Sequence, residues 1–192
     1  LRWYRQMVGI SSPGDTTVVT NKWMLGTRNS FIIGICATFL ATALGTVAAL
    51  GLSRPNMPFK GTIMAILISP MIVPLIITAA GMFFFYSKIG LTHTYLGLIL
   101  AHTALGTPFV VITVTATLTG FDTNLIRASQ SLGADTMRTF FKVIMPLILP
   151  GVISGGLFAF ITSFDEVVVV MFVGSVEQIT IPKQMWAGSV SY

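Results

Sequence analysis

Asp165 and Glu166 are adjacent carboxylates set in otherwise apolar sequence, after SF and before VVVVMFV. A charge at membrane depth is expensive and tends to face an interior cavity or a partner, so the pair is a functional candidate from its position alone. Two carboxylates can hold a cationic solute such as an amine by charge pairing. A salt bridge or helix-end contact within the subunit, or exposure to water at a pore mouth, would also accommodate them. Other chemistry is scarce. His93 and His102 lie nine residues apart with no HExxH, no Cys/His cluster and no paired acids beside them, so they read as packing or interfacial residues and no metal site is expected. No GxSxG, glycine-rich phosphate loop or internal repeat occurs, so the chain is not read as an enzyme, no cofactor is expected, and it does not hydrolyse ATP itself.

The elements that must position these acids follow from composition. Of 192 residues 54% are hydrophobic and only 9% charged, and the mean hydropathy is +0.85. Soluble domains carry roughly 25% charged residues, so this chain lacks the surface of a water-soluble globule. No Asp, Glu, Lys or Arg occurs between Arg28 and Arg54, Lys60 and Lys88, Lys88 and Asp122, or Lys142 and Asp165. Each gap is long enough for a membrane helix, which needs about 20 mostly apolar residues. An all-α integral membrane protein is expected, with spans over about 29–52, 61–86, 95–119 and 146–173. The net charge of +5 does not indicate nucleic acid, because the eleven cations are scattered and flank the spans. Lone Cys36 lies within the first span, so no disulfide framework is expected. Loops 53–60 and 120–145 hold five cations and the other side six, which leaves orientation undecided.

Span one carries Ala37, Ala41, Gly45 and Ala49 every four residues, a stripe that lets another helix backbone approach closely. Span two holds Pro70 and Pro74, each of which removes a helical hydrogen bond and crowds the preceding turn, so a kink or unwound segment is expected. It either lines a pathway or is a plain structural kink. Trp3, Tyr4 and Trp23, in the segment before span one, suit the headgroup belt.

The loop RASQSLGADTMRTFFKVIMPLILPG, residues 127–151, carries more pattern than a connector needs. Asp122 can cap a helix whose residues Leu125, Ala128, Ser129 and Leu132 share one face. Gly133 stands where helices stop in the left-handed conformation, and Asp135 can cap a second helix. That helix places Met137, Phe140, Phe141 and Ile144 on one side and Arg138 and Lys142 on the other, facing membrane lipid headgroups. Pro146 closes the unit and opens span four. Two amphipathic helices hinged at Gly133 result. They are either an interfacial connector or a docking element.

This segment resembles the signature loop of type I ABC importer permeases, written EAA, three residues, Gly, nine residues, then I-x-L-P. Ala128 and Ser129 stand at the two alanine positions, Gly133 at the glycine, and Val143, Met145 and Pro146 at I, L and P. Arg127 departs, since the family usually has Glu there. LRWY, the PFKG of 58–61, and SFDEVVVVMFV with IPKQMW extend the resemblance over most of the chain, the last two looking closest to the spermidine/putrescine branch. The resemblance implies the type I permease fold with about four of its six helices present. Residues 1–28 would be an interfacial or periplasmic segment after a missing first helix. Residues 29–176 would be the core membrane domain, with a cytoplasmic coupling loop at 120–145. Residues 177–192 would be a periplasmic segment before a missing last helix.

It further implies a multi-pass protein of the bacterial inner membrane. Its partners would be a cytoplasmic ATP-binding subunit dimer, a second permease subunit in a heterodimer, and a periplasmic substrate-binding protein. The last would meet Glu177 and the 174–192 segment. ATPase coupling would fall to Leu125, Ala128, Ser129, Leu132, Gly133 and Ala134. The ATPase would push on the helix around 123–133, and the Gly133 hinge would pass the motion to span four. Pro70, Pro74 and Pro146 would be structural or hinge points, and Asp165 and Glu166 would line the substrate path. A permease for another small solute (phosphonate, opine or amino-acid-like) is the alternative within this class. A channel or secondary transporter would need no docking loop.

Overall fold

The structure is a computed structural model that describes residues 18–190, residues 55, 121 and 123 excepted. Most of the expected 1–28 segment, including Trp3 and Tyr4, thus lies outside the described residues, as do residues 191 and 192 of the last segment. Every regular element among the described residues is helical. In order these are α1 (Val18–Leu52), α2 (Lys60–Ile72), α3 (Leu75–Ile89), α4 (Tyr95–Thr119), α5 (Asn124–Ser131), α6 (Thr136–Thr139), a π-helical turn (Phe140–Ile144), α7 (Met145–Asp165), α8 (Val168–Val173) and α9 (Ile181–Val190). Three stretches are long and apolar enough to cross a membrane: Lys22–Leu52, Tyr95–Thr119 and Thr136–Asp165. The pair α2 and α3 makes a fourth if taken as one span.

Boundaries differ from the expected ones at the first helix, at Pro146 and at Asp165, where the helix expected to reach 173 breaks, while the unwound segment expected in span two is present. The first helix begins at Val18 rather than near Asn29, because Lys22, Arg28 and Asn29 continue the helical backbone although they end the apolar run. Span two is unwound at residues 73–74. Pro74 takes an extended backbone at φ −52° and ψ 129°, and its carbonyl accepts from the amides of Ile77 and Thr78 at the start of α3. Pro70 is carried inside α2. Pro146 does not open a separate span: the short helix expected before it and span four are one continuous helix, Thr136–Asp165. The π-helical turn accounts for this. Pro146 lacks an N–H and its ring crowds the carbonyl four residues back, and widening the preceding turn relieves that crowding without breaking the rod. Met145 N–H accordingly bonds the Phe140 carbonyl, five residues back.

The contacts divide the chain into two compact units, residues 18–37, 73–102 and 161–190 in one, residues 38–72 and 103–160 in the other. In the second unit Ala41 and Ala49 of α1, Val110 and Val114 of α4, and Ile148 and Ala159 of α7 form the core. Small residues set how closely these helices approach. A Cβ on Gly45 would lie 2.7 Å from Val110 Cβ, one on Gly106 2.9 Å from Ala159 Cβ, and one on Gly155 2.7 Å from Val110 Cα. The four-residue stripe of α1 is buried throughout, as expected of a close helix contact. In the first unit α3 packs against α8, burying Ala79 and Tyr86 on one and Val169, Val170 and Val173 on the other.

Close packing of this kind has a direct test in thermal unfolding of the detergent-solubilised protein. Gly155→Val forces atoms into the α4 backbone and should destabilise by about 1–3 kcal/mol. Gly81→Ala, with nothing within 4 Å of the added carbon, should leave the melting temperature unchanged or raised. Equal behaviour of the two variants would contradict the packing.

Candidate functional site

Two candidate sites follow from the sequence, and each lies within one unit. The first is the loop of α5 and α6. Asp122 begins it: its Oδ1 accepts the Asn124 N–H at 2.9 Å and its carbonyl accepts the Leu125 N–H. The end of α5 is a Schellman turn, with the Gly133 amide on the Gln130 carbonyl at 2.9 Å and the Ala134 amide on the Ser129 carbonyl at 3.0 Å. Gly133 is left-handed at φ +80°. Asp135 then caps α6 through a 2.8 Å bond from the Arg138 N–H. Leu125 and Ala128 are exposed and Leu132 is 89% exposed, whereas Ser129 and Ala134 are half-buried. The apolar part of this face therefore has no cover from the described residues of its own chain. Ser129 instead turns toward Thr139, its Oγ 2.9 Å from Thr139 Oγ1.

The second site is the end of α7. The two acids diverge there. Asp165 is exposed and lines a cavity of about 520 Å³ with Phe164, Ile181, Pro182, Met185 and Trp186. Glu166 is only 8% exposed, and its Oε1 accepts the Val169 N–H at 3.0 Å, capping α8 after the break in the helix. The two adjacent acids do not stand together as exposed carboxylates, because the backbone turns between Asp165 and Val168 and directs the second acid inward. What remains is one carboxylate with aromatic and thioether neighbours, a combination that suits an organic cation through charge and cation–π attraction.

Sequence reasoning did not identify the polar lacing beside this site. Asn29 donates to the Ile179 carbonyl at 2.9 Å and to that of Glu177 at 3.5 Å, while its Oδ1 accepts from Tyr95 Oη at 3.1 Å. Ser30 Oγ accepts the Ile181 N–H at 2.9 Å. Gln178 accepts the Ser175 N–H and donates to the His93 carbonyl. His93 packs against the same segment, its N–H on the Val173 carbonyl at 2.8 Å and its Nδ1 3.2 Å from the Gly174 carbonyl. Lys183 Nζ donates to the Ser175 carbonyl at 2.8 Å, and burial holds its ammonium below the usual lysine pKa. His102 is buried with Nδ1 2.8 Å from Ser163 Oγ. The available signal is Asn29 itself, an amide adjoining an apolar run at the expected start of span one. Among the described residues no group of three or more His, Cys, Asp or Glu side chains gathers.

Comparison with known proteins adds an independent line. The family model described as the binding-protein-dependent transport system inner membrane component matches residues 41–190. The spermidine/putrescine transport system permease protein PotC of Haemophilus influenzae is 33% identical over 159 residues, covering 83% of this chain and 62% of that protein. Its Escherichia coli K12 counterpart is 30% identical over 171 residues, covering 86% and 65%. The putrescine transport system permease protein PotI of Escherichia coli K12 is 31% identical over 163 residues, covering 80% and 57%. The chain thus spans less than two thirds of the length of these relatives.

The left-handed turn of the loop is open to measurement by amide hydrogen exchange. Gly133→Ala should speed exchange over residues 129–135 by roughly ten-fold or more, since a left-handed non-glycine residue costs about 1–2 kcal/mol. Gly133→Asn should stay nearer the wild type, because asparagine tolerates this conformation. Wild-type exchange in the alanine variant would contradict the positive φ.

Proposed function

The chain belongs to the family of binding-protein-dependent transport system inner membrane components, and on that premise we propose that it is a permease subunit of an ATP-driven importer for a polyamine or related amine. The observation that carries this reading is the similarity to polyamine permeases over 83% of the chain, together with the family match over residues 41–190, a stretch that includes both the α5–α6 loop and the Asp165 cavity. ATP is hydrolysed on a separate cytoplasmic subunit, whose dimer docks on α5 through the uncovered side chains of Leu125, Ala128 and Leu132. A second permease subunit completes the path, and a binding protein delivers the solute from the outer face beside Glu177.

In this mechanism Asp165 is the group that meets the solute. Its carboxylate is exposed, and Trp186 and Phe164 supply aromatic faces to an ammonium. Glu166 acts at one remove: by capping α8 it fixes where the helix breaks, and so where Asp165 stands. Pro74, Pro70 and Pro146 act as structural points in the helices that frame the path.

Uptake of labelled spermidine by the complete importer tests this. Asp165→Asn should lower uptake about ten-fold at limiting substrate, the scale of one charge-assisted hydrogen bond, while the complex still assembles. Glu166→Gln keeps a carbonyl oxygen for the cap and should have a smaller effect. Undiminished uptake by Asp165→Asn would overturn the role of this acid, and failure of the wild type to co-purify with an ATPase would overturn the importer reading.

A further inference from the structure

A glycine in the left-handed conformation between two short helices reads as a hinge, but a second set of bonds crosses this one. Ser129 reaches over the turn twice, its carbonyl holding the Ala134 N–H at 3.0 Å and its hydroxyl meeting Thr139 Oγ1 at 2.9 Å. The hydrogen positions follow from the partners. Ser129 Oγ has one proton and gives it to the Ile126 carbonyl at 2.8 Å, so the Thr139 hydroxyl donates to Ser129 Oγ. The result is a chain from Thr139 through Ser129 to the backbone of α5, in which each bond polarises the next. Thr139 is only 3% exposed, so water competes little for its hydroxyl. Alanine at 129, which the signature loop carries at this position, could not make this bond.

We propose that α5 and α6 are one rigid block, clasped by the Ser129–Thr139 hydroxyl pair, and that the coupling stroke flexes the helix beyond the clasp rather than the turn at Gly133. The compliant place is the π-helical turn at 140–144. Its closing bond spans five residues, from Met145 N–H to the Phe140 carbonyl, and Pro146 and Pro150 then each omit a donor from the following turns. Ser129 and Thr139 are positioning residues in this scheme, since they hold the docking face of α5 at a fixed angle to the start of the long helix. The proposal rests on the reading of α5 as the ATPase docking helix.

The complete importer reconstituted in proteoliposomes, with Cys36→Ala as background, separates the rigid block from the hinge. Ser129→Cys with Thr139→Cys replaces the clasp by a disulfide, for which the close approach of the two side chains is suited. The oxidised form of this variant should import spermidine at least as fast as the reduced form, since a block that never opens loses nothing by being locked. Import abolished by oxidation and restored by reduction would overturn the proposal, as would failure of the two cysteines to cross-link. Ser129→Ala and Thr139→Val should lower the solute imported per ATP hydrolysed by roughly three- to ten-fold, the range of one hydrogen bond, with Ser129→Thr restoring it. An unchanged ratio in both would also overturn it. Throughout, co-purification of the ATPase with the wild type reports separately on the functional reading. Its absence removes that reading, whereas its presence with oxidation-sensitive import removes only the clasp.

Discussion

A helix interrupted at membrane depth must find new partners for its freed backbone groups, and this requirement governs the protein. In lipid an unsatisfied N–H or carbonyl costs several kcal/mol, so irregular backbone is tolerated only where protein or an internal cavity satisfies it. Each interruption here carries its own answer. After the break at Asp165 the carboxylate of Glu166 takes the Val169 N–H. The segment beyond α8 gives its carbonyls to Asn29, and its amides to Ser30 and Gln178. At Pro74 the residue's own carbonyl takes the first amides of α3. Polar groups are therefore gathered at each of these breaks, while threonines such as Thr107 and Thr113 bond back to carbonyls of their own helix.

That gathering also separates the two adjacent acids. Because Glu166 is committed to the backbone, the adjacent Asp165 is left as the exposed charge beside Trp186 and Phe164. Packing in the other unit works by subtraction: Gly45, Gly106 and Gly155 admit neighbours that any larger side chain would exclude, so contact there replaces the hydrophobic drive that lipid removes.

The helical architecture and the α5–α6 loop were legible because both depend on local pattern. Charge gaps located the apolar spans, and Asp122, Gly133 and Asp135 marked the loop by conformational preferences that act within a few residues. Longer-range consequences were less legible. Asn29 reads as the end of an apolar run, and only the folded chain brings the carbonyls of Glu177 and Ile179 to its amide. Glu166 and Asp165 are equivalent in sequence, and a backbone turn too short to leave a periodicity separates their roles. Pro146 reads as a boundary because proline usually is one, yet the π-helical turn absorbs its bulk and the helix runs on to Asp165. The serine at 129 reads as a small-residue substitute for alanine until Thr139 is found beside it.

Selectivity by charge is what a path meeting the solute at Asp165 requires. Competition against labelled spermidine uptake by the complete wild-type importer, with putrescine, a neutral amino acid and an organic phosphonate as competitors, measures it directly. Putrescine is expected to compete and the neutral and anionic solutes to leave uptake unchanged. Competition by the phosphonate with none by putrescine would contradict a path in which the Asp165 carboxylate meets a cationic solute.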